Sequence, residues 1–153
     1  MVVWHREIQK DKAKILDFVT FFEAELEVAK KEVAIKGNLE KLISSLPGIF
    51  EHRFGQLQQV EAVLEQLENE MRKLRSEKFR EFLEAYQRQL SSSDAWKYVD
   101  GTVEVATHYE FINEVAYIRN QFLSVTKALD QKSFMVGHVV RLRAAGLEDA
   151  NLD

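Results

Sequence analysis

Five cations crowd into one short stretch of this chain: Arg72, Lys73, Arg75, Lys78 and Arg80, against the single acid Glu77. Aromatic residues join them at once, with Phe79 and Phe82 and, one turn on, Tyr86. Cationic side chains along a helix neutralise phosphates, and aromatic rings give unstacked bases a face to lie on. A local cluster of both, with arginine outnumbering lysine, is the chemistry of single-strand binding. At 100° per residue Arg72, Arg75 and Arg80 fall on roughly one side of a helix, flanked by Lys73 and Lys78. The competing reading is a salt-bridged surface, with Glu68–Arg72 at i,i+4 and Glu77–Arg80 at i,i+3.

Other chemistry finds no constellation. There is no cysteine, and the four histidines (His5, His52, His108, His138) are scattered with no i,i+4 pair. A glycine-rich phosphate loop, His-Glu-x-x-His and Gly-x-Ser-x-Gly are all missing from the sequence. Glu61, Glu65 and Glu68 share a helical face but have no histidine beside them, so they read as a solvated acidic surface rather than a metal site. Ser91–Ser93 has no base nearby and reads as linker, and His52 as a surface or interface histidine. The expectation is a protein with no catalytic residue, no metal and no cofactor.

Charge sharpens the first reading. The chain of 153 residues carries a net charge of −4. Residues 1–70 hold nine basic and thirteen acidic groups, residues 71–90 six and three, residues 91–153 six and nine. The positive charge is thus confined to one helix-sized window of an otherwise acidic chain. No apolar run is long enough to span a bilayer and the first residues do not form a signal peptide, which leaves a cytoplasmic setting by default.

The elements that must position this window are helical. Helix formers dominate, with one proline and six glycines, and few breakers in such a chain give long helices. A first helix is expected over 7–35, with Ile8, Ile15, Val19, Phe22, Leu26, Ala29 and Val33 on its inner stripe. Gly37 and Asn38 form a stop and an N-cap. Pro47 is read as opening a long helix over 47–90. Within it Leu57, Val60, Leu64, Leu67, Met71 and Leu74 alternate by three and four, the seam of a coiled coil. A rod of this length is expected to cover its seam with the first helix or with other copies of the chain. The register fails after Leu74, where the basic window takes over. Ser93 or Asp94 would cap a short turn through Trp96 and Tyr98. A C-terminal helical pair over 103–145 follows, broken near Leu129-Asp130-Gln131 and stopped at Gly146. Tyr109 is among the residues expected to face inward, and the last helix carries Phe134 and Val140. The fold class is all-α: one domain over 1–153, a long coiled-coil-like helix in a helical hairpin followed by a smaller C-terminal helical pair.

A coiled-coil rod, then Lys78-Phe79-Arg80 with Phe82 and Tyr86 behind it, then a loop and two helices resembles the UvsY family, the recombination mediators of T-even-type phages. The end is similar too, with Ala128-Leu129-Asp130, then Phe134, an arginine-bearing last helix and Gly146. The likeness covers about residues 57–146, and Phe82-Leu83-Glu84-Ala85-Tyr86 stands where the family has adjacent tyrosines. The resemblance implies a non-enzymatic ring-forming homo-oligomer. Such a protein binds single-stranded DNA coated by a single-strand-binding protein and helps load a RecA-like recombinase, in the host cytoplasm if phage-encoded. It also implies that Lys78 and Arg80 contact phosphates, that Phe82 or Tyr86 offers a stacking face, and that the apolar C-terminal helices complete the ring. Arg72, Lys73 and Arg75 join this set on charge alone. The alternatives are a phage structural or assembly protein (scaffold, adaptor or packaging-ring component) that binds no DNA, or a small regulator docking through an acidic face.

Overall fold

Asp11 divides what the spacing treats as one N-terminal helix. Its carboxylate accepts a hydrogen bond from the Ala13 backbone N–H at 3.0 Å, a local turn that competes with helical bonding. Two helices result, α1 (Trp4–Lys10) and α2 (Lys14–Glu32), instead of one over 7–35. The turn lets Trp4 fold back on α2, with its ring 5.7 Å from Phe18 and 5.5 Å from Phe21. The computed structural model describes residues 1–85 and 89–147. The remaining elements are α3 (Leu39–Ala85), α4 (Ser92–Asp100) and α5 (Val103–Ala144). The protein is all-α: a long helix, with further helices C-terminal to it, and no strand among the described residues.

Helix α3 starts earlier than Pro47. Asn38 is its N-cap as expected, accepting the Lys41 N–H at 3.0 Å, and Gly37 before it sits at φ 83°, where a residue with a Cβ is strained. Pro47 lies inside the helix. Upstream of it the Ser44 and Ser45 hydroxyls donate to the carbonyls of Lys41 and Leu42 at 3.0 and 3.2 Å. The helix has 47 residues and so spans about 70 Å.

The seam of α3 is covered by the chain itself. Leu57, Val60, Leu64, Leu67 and Met71 are buried, and Leu74 is half-buried. The main cover is neither the first helix nor other copies, the two partners expected: α5 is itself 42 residues long and packs along α3, with α2 closing the third side. The break expected near Leu129-Asp130-Gln131 does not occur. Val115, Ile118, Phe122, Val125, Leu129 and Val136 are buried in one heptad register, and Lys132 occupies the seam position between the last two. Its ammonium donates to the Glu32 carbonyl at 2.6 Å. Glu32 ends α2, where carbonyls lack intrahelical partners and the helix dipole favours a cation. Burial still holds the Lys132 pKa below its ordinary value. Tyr109, Phe134 and Val140 fall outside this register and are exposed. Gly146 stops α5 as expected: at φ 77° it donates to the Arg143 carbonyl, and Leu147 donates to that of Leu142, the Schellman arrangement.

One polar cluster sits within this core. Arg53 is 3% exposed and donates through Nε and Nη2 to Glu32 at 2.7 and 2.8 Å, and through Nη1 to Glu25 at 2.7 Å. Gln56 donates to the same Glu25 oxygen at 2.7 Å. These bonds tie α2 to α3 in one register. The Gln56 hydrogen bond first, and the Arg53 guanidinium with it, hold the Glu25 pKa below the ordinary value, against the opposing effect of burial.

Candidate nucleic-acid interface

The basic window occupies the last turns of α3, where a second and smaller core begins. Met71 from α3, Val99 from α4 and Val105 from α5 are its buried members, with Leu74, Phe79, Phe82 and Ile112 packed around them. Helix α4 is built to dock here. Ser91, rather than Ser93 or Asp94, caps it: the Ser91 hydroxyl accepts the Asp94 N–H at 3.2 Å and donates to the Asp94 carboxylate at 2.8 Å. With the helix so begun, Ala95 and Val99 are fully buried, one turn apart on its inner face.

Packing of α4 and α5 against α3 divides the five cations into two groups. Arg75 and Lys78 turn inward. Arg75 donates through Nε to Asp100 Oδ1 at 3.0 Å, and its guanidinium lies 4.9 Å from the centre of the Trp96 ring. Lys78 donates to Glu81 at 3.2 Å and to Glu104 at 3.5 Å. The Glu81 hydrogen bond, with the two carboxylates' charge, raises the Lys78 pKa. The Glu104 pKa is lowered by its own backbone N–H and by Lys78. Arg72, Lys73 and Arg80 point outward and are exposed. Neither i,i+3 nor i,i+4 acid takes them: Arg72 donates to the Asn69 side chain at 2.6 Å, and among the described residues Lys73 and Arg80 have no ion-pair partner. The single face expected for Arg72, Arg75 and Arg80 is therefore corrected to an outer trio and an inner pair.

The aromatic residues are likewise engaged. Phe79 stacks on Trp96 with ring centres 4.3 Å apart, and Phe82 on Tyr98 at 5.7 Å. Phe82 is thus not an open platform while α4 is docked. Tyr86, the other expected stacking residue, lies outside the described residues. The acids and aromatics that complete the cluster (Trp96, Tyr98, Asp100 and Glu104) were not singled out from the sequence. The available signal was the aromatic-acidic content of residues 96–104, which complements residues 72–82 in both charge and ring count.

Among the described residues no three acidic, histidine or cysteine side chains converge as a metal would need, and no helix is long and apolar enough to cross a membrane. No protein-family model, curated protein or solved structure matches the chain.

Proposed function

We propose that this chain is a non-enzymatic single-stranded DNA-binding protein that acts as a recombination mediator, helping a RecA-like recombinase load on strands coated by single-strand-binding protein. One observation carries the reading: the outward trio Arg72, Lys73 and Arg80 lies at the same end of α3 as the inner pair and the stacked aromatics, in a chain that is acidic elsewhere. The resemblance of Lys78-Phe79-Arg80 and its surroundings to the UvsY family supplies the class of activity. Three phosphate contacts per subunit hold a strand weakly, and copies in a homo-oligomer multiply them through effective concentration. Since the α3 seam is occupied within the chain, assembly falls to other surfaces. The exposed Phe134, Met135, Val140 and Leu142 near the end of α5 suit that role. The setting is the cytoplasm, the host's if the chain is phage-encoded.

A second reading, a structural or assembly protein without DNA binding, is favoured by the internal pairing of Arg75 and Lys78. Fluorescence anisotropy with labelled oligo-dT and a matched duplex, over a salt series, separates the two. The expected result is preference for the single strand with affinity falling steeply as salt rises. Replacing Arg72, Lys73 and Arg80 together by alanine then reduces the slope of log affinity against log salt by about 2, at roughly 0.7 per phosphate. Absence of binding at low salt by a folded protein overturns the proposal and leaves the assembly reading.

A further inference from the structure

The contacts made by α4 have a chemical pattern of their own. Onto the two inner cations of α3, this helix and the start of α5 place carboxylates, Asp100 on Arg75 and Glu104 on Lys78. Onto the aromatic rings of α3 they place aromatic rings, Trp96 on Phe79 and Tyr98 on Phe82. An anion on each cation and a flat ring on each flat ring is also what a single strand would supply, with phosphates for the carboxylates and bases for the rings. We propose that α4 is an intramolecular stand-in for a nucleic-acid strand. The full binding site is then the α3 face carrying Arg75, Lys78, Phe79 and Phe82 together with the outer trio, and a bound single strand displaces α4 from it. This rests on the single-strand reading above and adds the residues and the regulation of that site.

The way α4 is held makes displacement feasible. Its small core has three buried members, Met71, Val99 and Val105. None of the residues buried in the large core comes from 92–100, so α4 can leave without opening α2, α3 and α5. The ion pair that fixes it to α3 is partly exposed, with Arg75 and Asp100 side chains 33% and 47% accessible. Exposed pairs are individually weak and are screened by salt, so a polyanion that presents many phosphates at once outcompetes them. Docked α4 therefore raises the threshold for binding: isolated or short anions leave it in place, and an extended strand, held first by Arg72, Lys73 and Arg80, removes it.

The test uses the full chain and oligo-dT. Trp96→Ala, which changes no charge, is expected to tighten binding roughly three- to tenfold by removing a stacked aromatic pair. Asp100→Asn/Glu104→Gln is expected to tighten it beyond Glu110→Gln/Glu114→Gln, a control with the same change in net charge at two exposed acids of α5. Circular dichroism checks that each variant is folded, and the double variant serves if Trp96→Ala is not. In the wild type, amide hydrogen exchange over 92–100 should accelerate at saturating oligo-dT while exchange in the large core stays slow. The displacement proposal is overturned if α4 keeps its protection with the strand bound, or if neither set of variants binds more tightly than the control. If wild type and all variants fail to bind oligo-dT at low salt, the single-strand reading itself has failed.

Discussion

The two ends of α3 are stabilised by different physics. Its first two-thirds lie in a core of seventeen buried residues that includes Phe18, Phe22 and Phe122, all fully buried. The polar insertion there, Arg53 with Glu25 and Glu32, is satisfied by hydrogen bonds of 2.7–2.8 Å. The last third lies in a core with three buried members, one each from α3, α4 and α5, and what it lacks in apolar area is replaced by stacked rings and half-exposed ion pairs. Burial is non-directional and hard to compete with, whereas surface charge and stacking are directional contacts that another ligand can reproduce. The basic window is placed at the end where the fold is held by exchangeable contacts.

That contrast can be broken most forcefully at Phe122. Its ring is fully buried and meets Phe22 edge-on at 5.5 Å, joining α5 to α2. Phe122→Ala should destabilise the whole molecule by about 3–5 kcal/mol, seen as a cooperative shift of the urea unfolding midpoint with α4 and α2 lost together. A loss confined to α5's ends would contradict a single large core. Val99→Ala removes two buried methyl groups from the small core, a cost of about 2 kcal/mol. The effect here should be local: faster amide exchange over 92–105 with little change in the main unfolding transition. Equal destabilisation by both probes of structure would mean that the two cores unfold as one unit, and α4 would then be a poor candidate for displacement.

How much of this was legible beforehand follows the same division. The inner stripe of α2 and the seam of α3 could be read because each is a local periodicity, and the buried positions Ile15, Phe22, Leu26, Leu57 and Leu64 follow it. The register of α5 could not, because Lys132 at a seam position looks like a break until Glu32, one hundred residues earlier in the chain, offers its carbonyl. Pro47 was a plausible helix start on local grounds, yet Asn38 holds the cap and the helix passes through the proline. At the candidate site the cations and rings of α3 were evident from composition. Their partners Asp100, Glu104, Trp96 and Tyr98 were not, since pairing across two helices leaves no short-range spacing to detect. The same holds for Arg53, whose acids lie 21 and 28 residues away.

A smaller effect comes from acid acting on that Arg53 cluster. The Glu25 pKa is lowered in the folded chain from an ordinary value of 4.5, through Gln56 first and then Arg53. A depressed carboxylate contributes stability that is complete above the unfolded value and is lost as pH falls through the folded one. Thermal unfolding should therefore be insensitive to this residue near neutrality and fall below about pH 4.5. Glu25→Gln should flatten that acid limb while lowering stability at pH 7. A variant whose acid limb matches the wild type would show that the loss arises elsewhere.

The smallest expected change is a gain. Gly137 lies inside α5, where glycine costs roughly 0.5–1 kcal/mol relative to alanine. Among the described residues nothing requires the missing side chain, because a Cβ there would meet no atom within 4 Å. The residue opens onto a groove of about 640 Å³ formed by α3 and α5, with Leu46, Pro47, Phe50 and Val136 among its apolar walls. Gly137→Ala should accordingly raise the unfolding midpoint of the dilute protein, by roughly the helix-propensity difference. The comparison is sharpened by repeating the measurement at high protein concentration. A gain at both concentrations means that α5's backbone is approached by nothing at this point. A gain in dilute solution that reverses on concentration would mean that another chain packs close against Gly137, and the groove rather than the exposed Phe134 face would be where copies of this protein meet.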